Sequence, residues 1–241
     1  MVCCFVGGCV SMHSASRTQK ISSHKHIKQE KQRYGVVSKR EAQQLMDALY
    51  QGVNAFIISD EERALFKQCK SESTYGEIVV AALEKLVELL EPTSDDVFYD
   101  FGSGKGQAPL YMALCTPIRK CVGIELSPTR HNYALQARNK LDRQLSTPYD
   151  CIIEFYQGDF TNPLFNIDDA TIVWMNSTCY PEEVMEKITQ RLSTLPSGLC
   201  VISLKALPSA DKYHFKLEQQ CTLPMTWSGS VNAHLYRLKK P

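Results

Sequence analysis

No Cys-x-x-Cys pair occurs among the ten cysteines, and the six histidines do not fall at zinc-ligand spacing, so no metal centre is expected. A long apolar run is also missing. The longest N-terminal stretch, Met1 to Val10, follows no positive charge and falls far short of the roughly 20 residues that cross a bilayer, so neither a secretory signal nor a membrane span is predicted. The cysteines therefore read as reduced thiols of the cytosol or nucleus. There is no internal repeat with a period of 20 to 50 residues, which excludes solenoids and propellers. Asp and Glu are absent from the first 29 residues, a composition that suits either a basic binding arm or a mitochondrial targeting segment.

What remains is the profile of a soluble globular protein: 241 residues, 44% hydrophobic and 22% charged. That length fits one domain of about 200 residues with an appendage. The net charge of +1 is unevenly spread. Residues 17–40 hold eight Lys or Arg against Glu30 alone, a net of +7, which leaves about −6 on the rest. A basic segment of this kind offers a contact for nucleic acid or another polyanion. The expected organisation is a basic, disordered arm over 1–33, a helical lead-in over 34–74 and a catalytic body over 75–241. Ser38 with Glu41, and Ser59 with Glu62, start the lead-in helices. Within the body, Val79, Leu83, Leu86 and Leu90 predict a helix over Tyr75 to Leu90. Strands are predicted at 96–101, 120–125, 151–156, 171–175, 199–204, 214–221 and 232–238, with helices at 107–115, 128–141 and 181–192. Alternation that ends in two successive strands predicts an α/β fold. Its sheet is Rossmann-type, seven-stranded and mostly parallel, with helices on both faces and an antiparallel C-terminal hairpin.

The most informative stretch is Asp100-Phe101-Gly102-Ser103-Gly104-Lys105-Gly106-Gln107. A hydrophobic strand delivers an acid, and alternate glycines then open a helix, so main chain can approach a nucleoside closely. The Gly-x-Gly-x-x-Gly spacing of dinucleotide sites is missing. Gly-x-Gly-x-Gly favours S-adenosylmethionine over a dinucleotide, although both readings remain open on the glycines alone. Glu125, at the end of the next strand, lies 19 residues after Gly106, where a carboxylate accepts from ribose hydroxyls. Asp159 and Phe160 follow the third strand, as an acceptor for an adenine amine and a surface for its face. Asn176 ends the fourth strand at the expected ligand-binding edge.

The set Thr74-Tyr75-Gly76-Glu77, the glycine turn with Gln107, Gly123-Ile124-Glu125, Gly158-Asp159-Phe160, Asn176 and Trp227-Ser228-Gly229 resembles the disruptor-of-telomeric-silencing family of protein lysine methyltransferases, over about residues 70–240. The resemblance implies a class I methyltransferase fold that uses S-adenosyl-L-methionine. It implies that Tyr75 and Glu77 fold over the cofactor, and that Asp100, Gly102, Ser103, Gly104, Gly106 and Gln107 face its methionine end. Glu125, Asp159 and Phe160 would hold the nucleoside, and Asn176, Ser177, Tyr180 and Trp227 would surround the transferred methyl. The implied partner is a protein lysine, in a histone or nucleosome, with nuclear or cytoplasmic action and nucleic-acid contact through residues 17–40. Two positions depart from the family pattern: Ser177 stands where a second Asn is expected, and Asn232-Ala233-His234 replace an aromatic pair. Methylation of a nucleic-acid base or of another amine stays open, as does a non-catalytic module anchored by the arm.

Overall fold

The computed structural model describes residues 37–69, 71–145 and 149–241; the arm expected over 1–33, and all but the end of the basic segment, lie outside them. Two short helices lead in. Helix α1 (Lys39–Tyr50) starts where the Ser38 hydroxyl accepts from Glu41 N, and α2 (Asp60–Gln68) has a reciprocal cap between Ser59 and Glu62. The order that follows is α3 (Val80–Leu90), β1 (Val97–Phe101), α4 (Gln107–Cys115), β2 (Lys120–Glu125), α5 (Pro128–Gln144), β3 (Ile152–Gln157), β4 (Ile172–Met175), α6 (Glu182–Leu192), β5 (Cys200–Ser203), β6 (Phe215–Met225) and β7 (Ser228–Leu238).

The seven strands form one sheet in the order β3-β2-β1-β4-β5-β7-β6. Strands β1 to β5 are parallel, β7 runs antiparallel to β5, and β6 pairs antiparallel with β7. Side-chain alternation gives the sheet two apolar faces. Phe98, Trp174 and Ile202 pack on one side with residues of α1, α3, α4 and α5; Tyr99, Val173 and Val201 pack on the other with α6. Burial on both sides explains why the parallel strands read as continuous apolar runs.

Two expectations need correction. The helix predicted from Tyr75 begins only at Val80. The chain before it is held extended from outside: Ile78 bridges Met225, Glu77 N donates to Thr226 Oγ1 at 3.1 Å, and Thr226 N donates to Glu77 O at 3.0 Å. These partners satisfy backbone groups that a helix would otherwise pair internally. The last two strands are also longer than predicted. Register shifts between Leu217 and Gln219 and between Leu223 and Met225 carry the ladder past irregularities, the second around Pro224, which has no N–H to donate.

Candidate functional site

The strand order reverses between β1 and β4, and the crevice at the carboxyl ends of those strands is where such sheets take ligands. The glycine turn fills its base, fixed by Gly102 N and Ser103 N, which both donate to Ile124 O at 2.9 and 3.1 Å. Gly102 has φ +80, and a Cβ there would lie 2.2 Å from the Tyr180 hydroxyl oxygen; Gly104 has φ +54, with Tyr75 at 2.5 Å from such a Cβ. Glycine therefore lets two tyrosines rest on bare main chain. Gly106 faces elsewhere, against Phe155 and Ala134, and contributes packing rather than a cleft wall.

A cleft of about 250 Å³ opens above the turn. Tyr75, Gly76, Trp227, Glu125, Asp159 and Phe160 line it, together with Asn176, Thr178, Cys179 and Tyr180. The Glu125 carboxylate is buried and accepts from Gly104 N at 2.7 Å and Ser127 N at 2.8 Å. Burial raises its pKa, opposed by those amides and by Arg130. Asp159 Oδ1 accepts from Thr161 N at 2.7 Å, holding the loop after β3. Phe160 stacks on Phe101 with ring centroids 5.4 Å apart and meets Tyr180 at 5.3 Å. The Tyr180 hydroxyl donates to Phe101 O at 2.6 Å, and burial pushes its pKa well up, so its proton stays in place. Asn176 Nδ2 donates to Gly76 O at 2.9 Å, tying the end of β4 to the Tyr75–Glu77 segment. Trp227 is 44% exposed and covers Gly76, which has no room for a side chain beneath the indole.

A smaller annex of about 30 Å³ adjoins the cleft, lined by Glu77, Asp100, Ser103 and Gln107 among others, and shares Tyr75, Gly76, Gly102 and Asn176 with it. Among the described residues six buried side-chain polar atoms lack a partner, and three of them belong to residues that line this annex: Glu77 Oε1, Asp100 Oδ1 and Ser103 Oγ. Such atoms are costly to bury, so a concentration of them marks a place completed by something else. Burial, with the Glu125 charge nearby, pushes the Asp100 carboxyl well above the usual carboxylate range. Glu77 Oε2 instead pairs with Lys105 Nζ at 2.8 Å.

Besides Gly106, a second candidate fails to reach the cleft. Ser177 is fully buried; its hydroxyl is 2.7 Å from Ser203 Oγ and accepts from Lys205 N at 2.9 Å, joining the chain after β4 to the end of β5. Other residues of the site escaped sequence reasoning. Arg130, on the first turn of α5, is buried and lies 4.1 Å from the Tyr75 ring centroid; its Nε and Nη2 donate to Ala55 O and Ser73 O, both at 3.1 Å. It pins the lead-in beside the cleft. Glu62 accepts from Ser127 Oγ at 2.6 Å and from Thr129 N and Oγ1 at 2.9 and 2.7 Å, docking α2 on the start of α5. The only sequence signal for these was their position near helix starts, which ordinary capping also explains.

This sheet order, the antiparallel final hairpin and a glycine turn at the reversal point define a class I methyltransferase fold. TrmN from Thermus thermophilus has the same fold, at a TM-score of 0.52 and 16% identity, over 65% of this chain and 48% of that one. The family model described as histone methylation protein DOT1 matches residues 55–223, more than two thirds of the sequence, and the chain belongs to that family. It is 32% identical over 153 residues to a Caenorhabditis elegans protein named histone-lysine N-methyltransferase, H3 lysine-79 specific, across 61% of this chain and 16% of that protein. A Drosophila melanogaster protein of the same name is 29% identical over 141 residues, 56% of this chain and 8% of that one. The match thus spans a small part of those relatives. Among the described residues no helix is long and apolar enough to cross a membrane.

Proposed function

We propose that the protein is an S-adenosyl-L-methionine-dependent methyltransferase acting on a protein lysine, with a histone as acceptor and the nucleus as its place of action. One observation carries the cofactor assignment: two carboxyl oxygens and a hydroxyl, buried and unpartnered, belong to three residues that line one annex of about 30 Å³. Space of that order holds one small polar group, and the group that suits these acceptors is a primary ammonium with three N–H donors. The larger cleft carries Glu125 and Asp159 for the hydroxyls and amine of a nucleoside, and Phe160 for its base. An ammonium joined to a nucleoside across this distance matches the two ends of the cofactor. The remaining charges agree: Glu72, Glu125 and Asp159 line the cleft, and the guanidinium of Arg130 is occupied by the lead-in.

Bound there, S-adenosylmethionine supplies an electrophilic methyl on a sulfonium. Asp100, Glu77, Ser103 and Gln107 would hold its amino-acid end, Glu125, Asp159 and Phe160 its nucleoside. The chain's own part is alignment and exclusion of water. Asn176 fixes the Gly76 carbonyl and Trp227 covers the main chain, so the Tyr75–Glu77 segment is held at the mouth. Tyr180 braces the strand end and, with its proton committed to Phe101 O, is no base. The acceptor must arrive neutral, since roughly one lysine amine in two thousand is neutral at pH 7 in water. The half-apolar walls of Trp227, Val184 and Tyr180 lower an amine's pKa by desolvation. No protein nucleophile takes part.

The acceptor assignment is supported by family membership and by the names of the relatives. Incubation with labelled cofactor and, separately, nucleosomes, free histones, total protein extract and RNA tests it. Label on a lysine of a histone is expected; label in RNA alone would overturn the reading.

A further inference from the structure

Within the glycine turn every residue but one is small. The exception, Lys105, is 6% exposed. Its ammonium lies 2.8 Å from Glu77 Oε2 and 4.8 Å from the centroid of the Tyr50 ring. Its carbonyl accepts from the Tyr50 hydroxyl at 3.0 Å. A single residue of the turn thus touches the last residue of α1 and the end of the Tyr75–Glu77 segment.

A buried ion pair adds little net stability, because desolvation offsets its attraction, so stability alone does not account for a lysine at this place. The annex does. Glu77 and Asp100 both line it, and each keeps a buried carboxyl oxygen without a partner. Lys105 pairs with Glu77 through Oε2, which leaves Oε1 as the oxygen without a partner.

We infer that Lys105 is a positioning residue for the amino-acid end of the cofactor: through its ion pair it holds the Glu77 carboxylate, and with it the Tyr75–Glu77 segment, in the orientation that receives the ligand ammonium. The inference rests on the cofactor reading given above. Without the lysine, the Glu77 carboxylate loses the partner that holds it, and the ammonium loses a placed acceptor. The nucleoside end, which Lys105 does not touch, is unaffected.

The test is calorimetric, on the full chain, with two probes: S-adenosylhomocysteine, which carries the amino-acid group, and 5′-methylthioadenosine, which lacks it. Lys105→Met should weaken the first by about tenfold to a hundredfold, the loss of one charge-assisted hydrogen bond, and the second by less than about twofold. Lys105→Gln, which keeps a donor but no charge, should show the same selective loss and serves where the methionine variant does not fold. Glu77→Gln combined with Lys105→Met should be no weaker than the worse single variant, because both act through one pair. Equal loss on both probes, unchanged or tighter binding of S-adenosylhomocysteine, or additive losses in the double variant would overturn the inference. Failure of the unmodified protein to bind either probe would instead overturn the cofactor reading itself.

Discussion

Asp100 shows how one side chain can work against the fold that holds it. Its carboxyl is buried with an unpartnered oxygen and held well above the usual carboxylate range, so in the empty protein it keeps its proton at pH values where an unfolded Asp has lost it. The folded pKa is raised; stability from the protonated group is therefore complete below the unfolded value near 4 and declines as pH rises toward the folded value. Asp100→Asn removes this penalty. Its melting temperature should exceed that of the unmodified protein by a margin that grows as pH rises above about 4, while S-adenosylhomocysteine binding falls at least about tenfold. A ligand ammonium favours the carboxylate, so binding to the unmodified protein should release up to one proton, visible as a buffer-dependent calorimetric enthalpy and as affinity that rises with pH. The acid was legible in the sequence as the residue before the glycines, but its protonation was not. Ser177 is the converse case: expected beside the transferred methyl from its position at the strand end, it is buried outside the cleft lining and hydrogen-bonds Ser203, 26 residues away.

Short elements here are held by polar contacts at their ends. Helix α2 has nine residues, too few to persist alone, and depends on Glu62, whose carboxylate caps its own helix and the start of α5 together. Burial alone would raise the Glu62 pKa, but donors from Ser127, Thr129 and Ser59 outweigh it and hold it at about 2. With the folded pKa depressed, this contribution is present above the unfolded value near 4.3 and is lost as pH falls from there toward 2. Glu62→Gln, which weakens the charge-assisted hydrogen bonds, should lower stability at neutral pH by about 1–3 kcal/mol and flatten the acid limb of a pH–stability curve measured by denaturant unfolding. The glycine turn is the other vulnerable element. Gly102→Ala places a Cβ in left-handed backbone and 2.2 Å from the Tyr180 oxygen. A cost of at least about 1–2 kcal/mol is expected, with cofactor binding lost because Tyr180 must leave Phe101 O. The turn and its cap signatures were readable because they are local. The start of α3 was not, because Thr226, Met225 and Asn176, far along the chain, decide that residues 75–79 stay extended.

Across the whole molecule, charge separates a strongly basic N-terminal segment from an acidic remainder. Deleting residues 1–33 should leave S-adenosylhomocysteine affinity unchanged and reduce the slope of log affinity for nucleosomes or DNA against log salt, as counterion release requires. Equal slopes before and after deletion would reject that role for the segment. The succession of strands and helices, the mostly parallel sheet and the glycine turn that opens a helix follow from the sequence alone, since hydrophobic period, glycine backbone freedom and short connections act between near neighbours. Only the folded chain decides that Glu77 meets Lys105 rather than water, that Arg130 is spent on the lead-in, and that three residues with unpartnered oxygens line one annex. Those outcomes depend on desolvation and on contacts between segments up to about a hundred residues apart, quantities that exist only once the sheet has closed the space around them.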